Sequence, residues 1–296
     1  MILVTGGTGS FGHAFVRWIR SFSKQEIRVL SRDEEKQRRM AALYPDVEFV
    51  LGDVRDRASV RRAMRVGPLR NVSQVFHAAA LKQVPQAEAN PREYVLTNIE
   101  GTDNVCREAQ EAGARVVLLS TDKAVLPVGV MGASKMLAEA VCTSYGFNAV
   151  RYGNVVGSRG SIIPLFRDQI AKGQPVTITD PSMTRFLITL DEAIGLVTVA
   201  MTEEPTGSVY VRKSPAATVE QIVRVMTAGP TKVIGIRPGE KLHEDLVAAH
   251  ETAEDCGDWF KVTRNRYGGT PYTSLDAPTL TDDELRALIA QAPDDL

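Results

Sequence analysis

A glycine-rich turn near the start of the chain places the strongest constraint on its fold. The stretch "TGGTGSFG" follows the apolar run "ILV" and leads into "HAFVRWIRSF", whose apolar residues recur at helical spacing. Gly6, Gly9 and Gly12 therefore lie between a first strand and a first helix. The first glycine permits a tight turn, the second lets the backbone approach a pyrophosphate, and the third allows close helix–strand packing. The turn predicts a dinucleotide-binding α/β domain.

The same alternation continues through the N-terminal half. Strand-like runs such as "EIRVLSR", "NVSQVFHAAA" and "ARVVLLSTD" alternate with helix-like stretches such as "YVLTNIEGTDNVCREAQEAG" and "GASKMLAEAVCTSYG". This alternation favours a parallel sheet covered on both faces. We predict a Rossmann-type doubly wound parallel sheet over residues 1–157, to which parts of later segments can return. A smaller substrate-binding lobe and a C-terminal tail would occupy residues 158–296, where the stretch from Gly257 is turn-rich and predicts no definite element.

Composition excludes several classes of function. A formal net charge of −1 gives no electrostatic reason to expect binding to nucleic acid or to an anionic membrane. The three cysteines are far apart and the four histidines form no ligand cluster, so we predict no disulfide framework and no metal. We see no secretory leader, and the apolar run "LITLDEAIGLVTVAM" is interrupted by Asp191 and Glu192. We therefore expect a cytoplasmic protein without a membrane partner.

The end of the second strand indicates which dinucleotide binds. The stretch "VLSRDEEK" presents Ser31 and Arg32, with Lys36 one helical turn further along. An arginine and a hydroxyl suit the 2′-phosphate of NADP, whereas NAD sites usually offer a carboxylate to the ribose 2′-OH. NADP is the prediction, and Asp33 and Glu34 keep NAD as the alternative.

Other cofactor contacts come from the loops that follow the strands. Asp53, in "GDV", would meet the adenine, with capping of a turn as its alternative role, and the small residues of "HAAA" let the cofactor approach. The predicted cofactor contacts are Gly6, Thr8, Gly9, Ser10, Phe11, Gly12, Ser31, Arg32, Lys36, Asp53, Val54, Ala78 and Lys135.

A series of longer motifs resembles one enzyme family. The strings "TGGTGSFG", "GDVRD", "HAAALKQVP", "TNIEGT", "STDKA", "GASK", "RYGNVVGSRGSIIPLF", "MTRF" and "IGIRPGEKLHE" occur in this order. Together they resemble the extended short-chain dehydrogenase/reductases. Within that group they look like the UDP-N-acetylglucosamine 4,6-dehydratases, especially the soluble branch that leads to pseudaminic acid. The resemblance extends from residue 2 to about residue 247.

The resemblance implies a reaction in three stages. Such enzymes move a hydride from sugar C4 to NADP⁺, and the resulting ketone acidifies the C5 proton. A base then removes that proton while an acid assists loss of the 6-hydroxyl, and the hydride returns to C6. The expected product is a UDP-4-keto-6-deoxy-N-acetylhexosamine, and the cofactor stays bound.

The resemblance also assigns proton-transfer roles. Thr121 would hydrogen-bond the sugar 4-OH, Asp122 would protonate the departing 6-hydroxyl, and Lys123 would act at C5. Asp122 must then be partly protonated and Lys123 partly neutral, although a free lysine has a pKa of about 10.4. Desolvation or a nearby cation such as Lys135 would lower it. Without the family context, the same pair would be an ordinary salt-bridged turn.

Met131 departs from the family pattern. It lies one helical turn before Lys135, in the place where short-chain dehydrogenases carry the tyrosine of a tyrosine–lysine pair. A thioether cannot accept the alcohol proton. The protein could be inactive, Tyr152 could substitute, or Lys123, Lys135 or a bound water could take the proton. We favour the last reading, because some relatives also carry methionine there. The predicted catalytic set is Thr121, Asp122, Lys123, Met131 and Lys135.

The resemblance further implies a substrate site and a homo-oligomer. The predicted substrate contacts are Lys82, Asn98, Asn154, Arg159, Arg185 and Glu240. The rival functions are a sugar-nucleotide epimerase or 5,6-dehydratase on the same scaffold, and a non-catalytic NADP-binding protein.

Overall fold

The computed structural model describes residues 1–65, 67, 72–158, 160–263 and 269–292. The strands, numbered in chain order, are β1 (Ile2–Thr5), β2 (Ile27–Ser31), β3 (Glu48–Leu51), β4 (Gln74–His77), β5 (Arg115–Leu119), β6 (Asn148–Arg151), β7 (Asn154–Val155), β8 (Val176–Ile178), β9 (Thr184–Ile188), β10 (Val209–Arg212), β11 (Ala216–Thr218), β12 (Thr231–Val233), β13 (Asp245–Val247), β14 (Thr252–Asp255), β15 (Trp259–Thr263) and β16 (Tyr272–Thr273). The α-helices are α1 (Ser10–Phe22), α2 (Glu34–Leu43), α3 (Arg57–Met64), α4 (Val84–Ala89), α5 (Pro91–Tyr94), α6 (Gly101–Ala112), α7 (Val130–Ser144), α8 (Ile162–Ala171), α9 (Leu190–Thr202), α10 (Val219–Met226) and α11 (Asp282–Ala290).

A nine-stranded sheet in the order β14-β15-β10-β6-β5-β4-β1-β2-β3 forms the centre of the molecule. The strands from β3 to β10 in this order are parallel to their neighbours. At the far edge, β15 is antiparallel to β10, and β14 is antiparallel to β15. The doubly wound α/β sheet predicted from the sequence is confirmed.

Helices cover both faces of this sheet. On one face α1 directs Phe15, Val16 and Ile19 into a cluster that also contains residues of α2 and α9. On the other face α3, α6 and α7 pack with Leu3 and Leu118 of the strands. Burial on both faces explains why the central strands have continuous apolar runs and not alternating patterns.

The smaller lobe is built from short sheets and three helices. Strands β11, β9 and β7 form one sheet, and β12 pairs with β8. Helices α8, α10 and α11 enclose a separate apolar cluster that includes Phe166 and Leu285. Residues of β10, β14 and β15 return to the large sheet, so the chain crosses repeatedly between the two parts. The domain boundary predicted at residue 157 therefore remains a prediction, because the chain crosses between the two parts more than once.

Two stretches differ from the sequence expectation. The segment expected as one helix from "YVLTNIEG" contains a π-helical stretch, Val95–Glu100, between α5 and α6. The tail that suggested no definite element contains β15, β16 and α11, and α11 begins with a capping box of Thr281 and Glu284. Among the described residues, no helix has the length and apolar character needed to cross a membrane.

Candidate active site

A cavity of about 760 Å³ lies at the carboxyl ends of the parallel strands, between the large sheet and the smaller lobe. It includes the point between β1 and β4 where the strand order reverses, the position at which open α/β sheets bind ligands. Every predicted cofactor contact and every predicted catalytic residue contributes to its wall. The sequence motifs, although far apart along the chain, thus converge on one site.

The glycine turn fits a dinucleotide pyrophosphate. Gly6 has a φ of 66°, and a Cβ there would lie 2.8 Å from the backbone nitrogen of Ala79. A Cβ on Gly12 would lie 2.2 Å from the carbonyl oxygen of Gly7. Because α1 begins at Ser10, its unpaired N–H groups and partial positive charge are directed at the cavity.

The end of β2 offers a hydroxyl and a cation to the same cavity. The Ser31 and Thr8 hydroxyl oxygens are 2.8 Å apart, and the half-exposed Arg32 lies 3.7 Å from Asp53. Asp33 accepts a hydrogen bond from the backbone N–H of Lys36 and forms an ion pair with its amine at 2.8 Å. Asp33 is therefore engaged in capping α2, which weakens it as a ribose ligand.

A 3₁₀ turn, Asp122–Ala124, presents the proposed proton-transfer groups directly after β5. The Thr121 hydroxyl donates to Asp122 Oδ1 at 2.8 Å, and the Lys123 amine donates to the same oxygen at 3.1 Å. Asp122 is fully buried, and its Oδ2 has no hydrogen-bond partner among the described residues. Burial raises the pKa of Asp122, and Glu244 raises it further, against the opposing charge of Lys123. This direction matches the requirement for a partly protonated acid.

Lys123 differs from the expectation of a partly neutral amine. Burial lowers its pKa, but the charges of Asp122 and Glu244 together outweigh burial, so the pKa is raised. Glu244 Oε1 is 3.0 Å from the Lys123 amine. The nearby cation that lowers the Lys123 pKa is Arg185, not Lys135 as expected. Lys123 therefore forms an ion pair with both carboxylates.

Lys135 has the property that was expected of Lys123. Burial lowers its pKa to about 8, although Glu139 and Cys142 oppose the shift. Its amine donates to the carbonyl oxygen of Leu119 at the end of β5. An amine with this pKa is partly neutral near pH 8, as a proton acceptor at the sugar requires.

Met131 is part of a small apolar cluster. It packs with Ala87 and Tyr94, and it also forms part of the cavity wall. One residue further on, Gly132 brings α7 against the catalytic turn, since a Cβ there would lie 2.2 Å from the Lys123 carbonyl oxygen. Tyr152 lines the cavity too, but burial raises its pKa. The phenol therefore stays protonated and has no phenolate form available to accept the alcohol proton.

The predicted substrate residues fall into three groups. Lys82, Asn154 and Glu240 line the cavity, and Asn154 Oδ1 is buried without a hydrogen-bond partner among the described residues. Asn98 lies behind the wall, where its amide bonds to the backbone of Leu81 and to the Ser134 hydroxyl, so it supports α7 and is not exposed to a ligand. Arg159 lies outside the described residues.

Arg185 also lines the cavity, but its guanidinium is largely occupied by protein groups. It donates to the carbonyl oxygens of Thr184, Lys241 and Leu242 at 2.7 to 3.2 Å. Its Nε is 3.9 Å from Glu244. The geometry therefore gives Arg185 a structural task in addition to any contact with a diphosphate.

Residues 2–263 match the family described as polysaccharide biosynthesis protein. The chain belongs to this family. The chain is also similar to the UDP-glucose 4-epimerase of Rickettsia canadensis (strain McKiel), with 44% identity in an alignment of 284 residues that covers 88% of this chain and 82% of that protein. The corresponding enzyme of Rickettsia bellii (strain OSU 85-389) is 43% identical with the same coverage.

Solved structures share the fold of this polysaccharide biosynthesis family member. Pen from Bacillus thuringiensis superimposes with a TM-score of 0.91 at 34% identity, covering 98% of this chain and 96% of that chain. DesIV, a dTDP-glucose 4,6-dehydratase from Streptomyces venezuelae solved with NAD and TYD bound, gives 0.75 at 21% identity, with 98% and 96% coverage. The extended short-chain dehydrogenase/reductase fold expected from the motifs is thereby supported.

Sequence reasoning missed two charged residues of this family member's cavity, Glu244 and Arg237. Both lie within the quoted motif "IGIRPGEKLHE", which therefore carried the signal. Only Glu240 was selected from it, because linear spacing does not reveal that the next glutamate contacts Lys123.

Proposed function

We propose that the protein is an NADP-dependent sugar-nucleotide 4,6-dehydratase whose substrate is UDP-N-acetylglucosamine. One observation carries the proposal: an aspartate with a raised pKa and a lysine amine lie 3.1 Å apart at the end of β5, inside the cavity. Elimination of water across C5 and C6 needs an acid and a base that act together. A C4 epimerase needs neither group.

Three side chains divide the proton transfers. A bound nicotinamide dinucleotide supplies reversible hydride transfer. Thr121 orients the 4-hydroxyl, and Lys135, whose pKa is about 8, accepts its proton in place of the absent tyrosine. Lys123 removes the C5 proton, and Asp122 protonates the departing 6-hydroxyl.

The ion pair between Lys123 and Asp122 can be converted into this acid and base by one proton transfer. Movement of a proton from the ammonium to Asp122 Oδ1, across 3.1 Å, gives a neutral amine and a carboxylic acid together. After elimination the amine has gained the C5 proton and the acid has lost its own, so the ion pair is restored. As the hydride adds to C6, the Lys123 ammonium returns a proton to C5, and a solvent proton then restores the pair while Lys135 releases the proton that it took from the 4-hydroxyl. The raised pKa of Lys123 is thus compatible with its role as base.

Epimerisation at C4 is the second candidate, because relatives 43–44% identical are named UDP-glucose 4-epimerase. The two reactions differ in their use of solvent hydrogen. An epimerase exchanges no carbon-bound hydrogen with water and keeps the 6-hydroxyl. A dehydratase gains one solvent hydrogen at C5 and loses that hydroxyl.

The decisive experiment is incubation of the protein with UDP-N-acetylglucosamine in D₂O, followed by NMR. We expect a 6-deoxy-4-keto product with one deuterium at C5. A C4 epimer without deuterium would establish the epimerase, and bound dinucleotide without turnover would establish a non-catalytic protein. Lys123→Ala should abolish the product while the dinucleotide stays bound, and near-normal turnover of this variant would exclude Lys123 from the C5 step.

The choice of NADP over NAD rests on Ser31 and Arg32 and on the engagement of Asp33 in the α2 cap. Arg32→Asp should shift the preference towards NAD at least tenfold, about 1.4 kcal/mol. The change replaces a hydrogen-bond donor to the 2′-phosphate with a hydrogen-bond acceptor for the ribose 2′-OH. Arg39→Asp, an exposed change on α2 outside the cavity wall, is the control. If the ratio of NADP affinity to NAD affinity is the same in wild type and Arg32→Asp, the cofactor proposal is contradicted.

The homo-oligomer also remains a prediction, which sedimentation measurements can test.

A further inference from the structure

The mechanism proposed above leaves one buried carboxylate of the described cavity wall, that of Glu244, without a role. Glu244 is 1% exposed, and its Oε1 is 3.0 Å from the Lys123 amine, which Asp122 contacts at 3.1 Å. Glu244 Oε2 has no hydrogen-bond partner among the described residues. Burial of a carboxylate is costly unless it is paired, and Lys123 supplies the close partner.

The backbone fixes Glu244 in this position. Its N–H donates to the Ser274 hydroxyl at 2.8 Å, and its carbonyl oxygen accepts from the Ser274 N–H at 2.8 Å. Glu244 therefore belongs to the junction where β13 begins and β16 ends, and its buried side chain reaches Lys123 from this held backbone. The amine of Lys123, on a flexible stem, is the movable member of the pair.

Four charged groups surround this junction. Lys123 and Asp122 come from the catalytic turn, Arg185 comes from β9 at 3.9 Å from Glu244, and Lys241 lies on the same segment. Lys241 is itself engaged, at 2.8 Å from Asp245 and 2.6 Å from the carbonyl oxygen of Val125. Among these groups, Lys123 alone contacts both buried carboxylates at hydrogen-bond distance.

We propose that Glu244 is a positioning residue that holds the Lys123 amine against Asp122 and keeps one proton shared between them. This inference rests on the proposed dehydratase function. The working state of the Lys123–Asp122 pair contains that single shared proton. With a second proton the pair has no base, and without the shared proton it has no acid. A fixed negative charge beside both groups opposes loss of the shared proton.

The role has a measurable signature in the pH dependence. In addition to the effects of burial, Glu244 raises the pKa of both Asp122 and Lys123, while Arg185 lowers that of Lys123. Removing the Glu244 charge lowers both values. The alkaline limb of the pH–rate profile, which reports loss of the shared proton, should then move to lower pH by about one pH unit for a charge at this distance. The acid limb should stay in place, because it reports Lys135, which must be neutral to accept the 4-hydroxyl proton and has a pKa of about 8. A side chain that only filled space would change the rate and leave the profile in place.

The test compares Glu244→Gln, which keeps the shape and removes the charge, with Glu244→Asp, which keeps the charge. Product formation from UDP-N-acetylglucosamine is measured against pH. We expect the alkaline limb of the Gln profile to be displaced by about one unit towards acid and that of the Asp profile to lie between it and wild type. Glu254→Gln, the same change on an exposed residue of β14, should leave the profile unchanged. A Gln profile that coincides with wild type would overturn the proposal.

A second measurement does not depend on turnover. In protein labelled with [¹⁵N]lysine, the Lys123 amine is identified by the signal lost in Lys123→Arg, and its titration is followed by NMR. A lower midpoint in Glu244→Gln supports the inference even if wild type forms no product, in which case the proposed function alone fails. If Glu244→Gln does not fold, Glu244→Leu, which also removes the charge, decides, since an unchanged midpoint there would refute the role.

Discussion

At the scale of single residues, the site contains two lysines with opposite electrostatic character. Lys123 lies between two carboxylates and has a raised pKa, whereas Lys135 is buried against a backbone carbonyl and has a pKa of about 8. In the proposed mechanism, this difference lets one site hold a charged amine for the C5 step and a partly neutral amine for the first proton transfer.

Lys135 should reduce stability in a pH-dependent way. Its folded pKa of about 8 is below the ordinary value of about 10.4, so the unfolded chain binds more protons between these values. The cost is therefore fully present below pH 8 and disappears as the pH rises towards 10.4. Lys135→Met should gain stability relative to wild type by about 2–3 kcal/mol more at pH 7 than at pH 10.

Urea unfolding of both proteins at the two pH values measures this difference. Lys172→Met, which removes an exposed lysine paired with Asp168 at 2.7 Å, is the control for loss of a surface charge. A pH-independent difference between Lys135→Met and wild type would contradict the assignment.

Met131→Tyr tests whether the thioether limits the reaction. Met131 borders the cavity, so a larger ring can extend into it and the fold should survive. We expect no gain in turnover, because Lys135 already accepts the 4-hydroxyl proton. A tenfold gain, about 1.4 kcal/mol in the barrier, would show that Lys135 performs this step poorly.

Sequence reasoning found the residues that lie within recognisable motifs, including Asp122, Lys123 and Lys135. It did not find the direction of the Lys123 pKa, because burial lowers that pKa while Asp122 and Glu244 raise it, and the second of these carboxylates is distant along the chain. Proton affinity in a buried site is set by tertiary neighbours, and one strand end alone cannot reveal them.

At the scale of elements, a buried ion network connects the catalytic helix to the sheet and to the C-terminal segment. Arg151 of β6 donates to Glu139 of α7 at 2.6 and 3.1 Å and to Glu251 at 2.9 and 3.0 Å. Glu139 also accepts from the Ser120 hydroxyl, just before the catalytic turn. The network fixes α7 relative to the strand ends that carry the site.

Arg151→Leu should destabilise the protein by about 3–5 kcal/mol, since it leaves two buried carboxylates without a cation. Arg224→Leu is the matched control, because Arg224 forms an exposed ion pair with Asp282 at 2.8 Å and its loss should cost less than about 1 kcal/mol. Denaturant midpoints compare the two. Equal effects would show that the buried network contributes no more than a surface pair.

The strands and most helices were predictable because their apolar periodicity is strong. The π-helical stretch Val95–Glu100 was not, since its residues are ordinary helix formers and the wider turn is visible only in the hydrogen bonds. Helix α11 was missed although its capping box, Thr281 and Glu284, was readable. The turn-rich residues before it obscured the signal.

At the scale of the whole molecule, the chain connects the two parts several times. Strand β10 returns to the large sheet, β11 lies in the smaller lobe, β14 and β15 return again, and α11 ends in the lobe. Each part is directly joined to the other at several points along the chain. Unfolding of one part should therefore disturb strands or helices of the other.

Unfolding should therefore be a single cooperative transition. Trp18 and Trp259 both pack on the α1 face of the large sheet, so tryptophan fluorescence reports that part, while far-ultraviolet circular dichroism reports helices of both. We expect coincident midpoints in urea. Separated midpoints would show that the smaller lobe unfolds independently.

The contact between Gly132 and the carbonyl of Lys123 has a consequence for how such an enzyme can diversify. Main-chain atoms set the separation between α7 and the turn, so a side chain at position 132 would force the two apart. Substitutions of the neighbouring residues can exchange the groups that these elements carry without changing the frame between them, and Met131 would be such an exchange for the tyrosine of the resembled family.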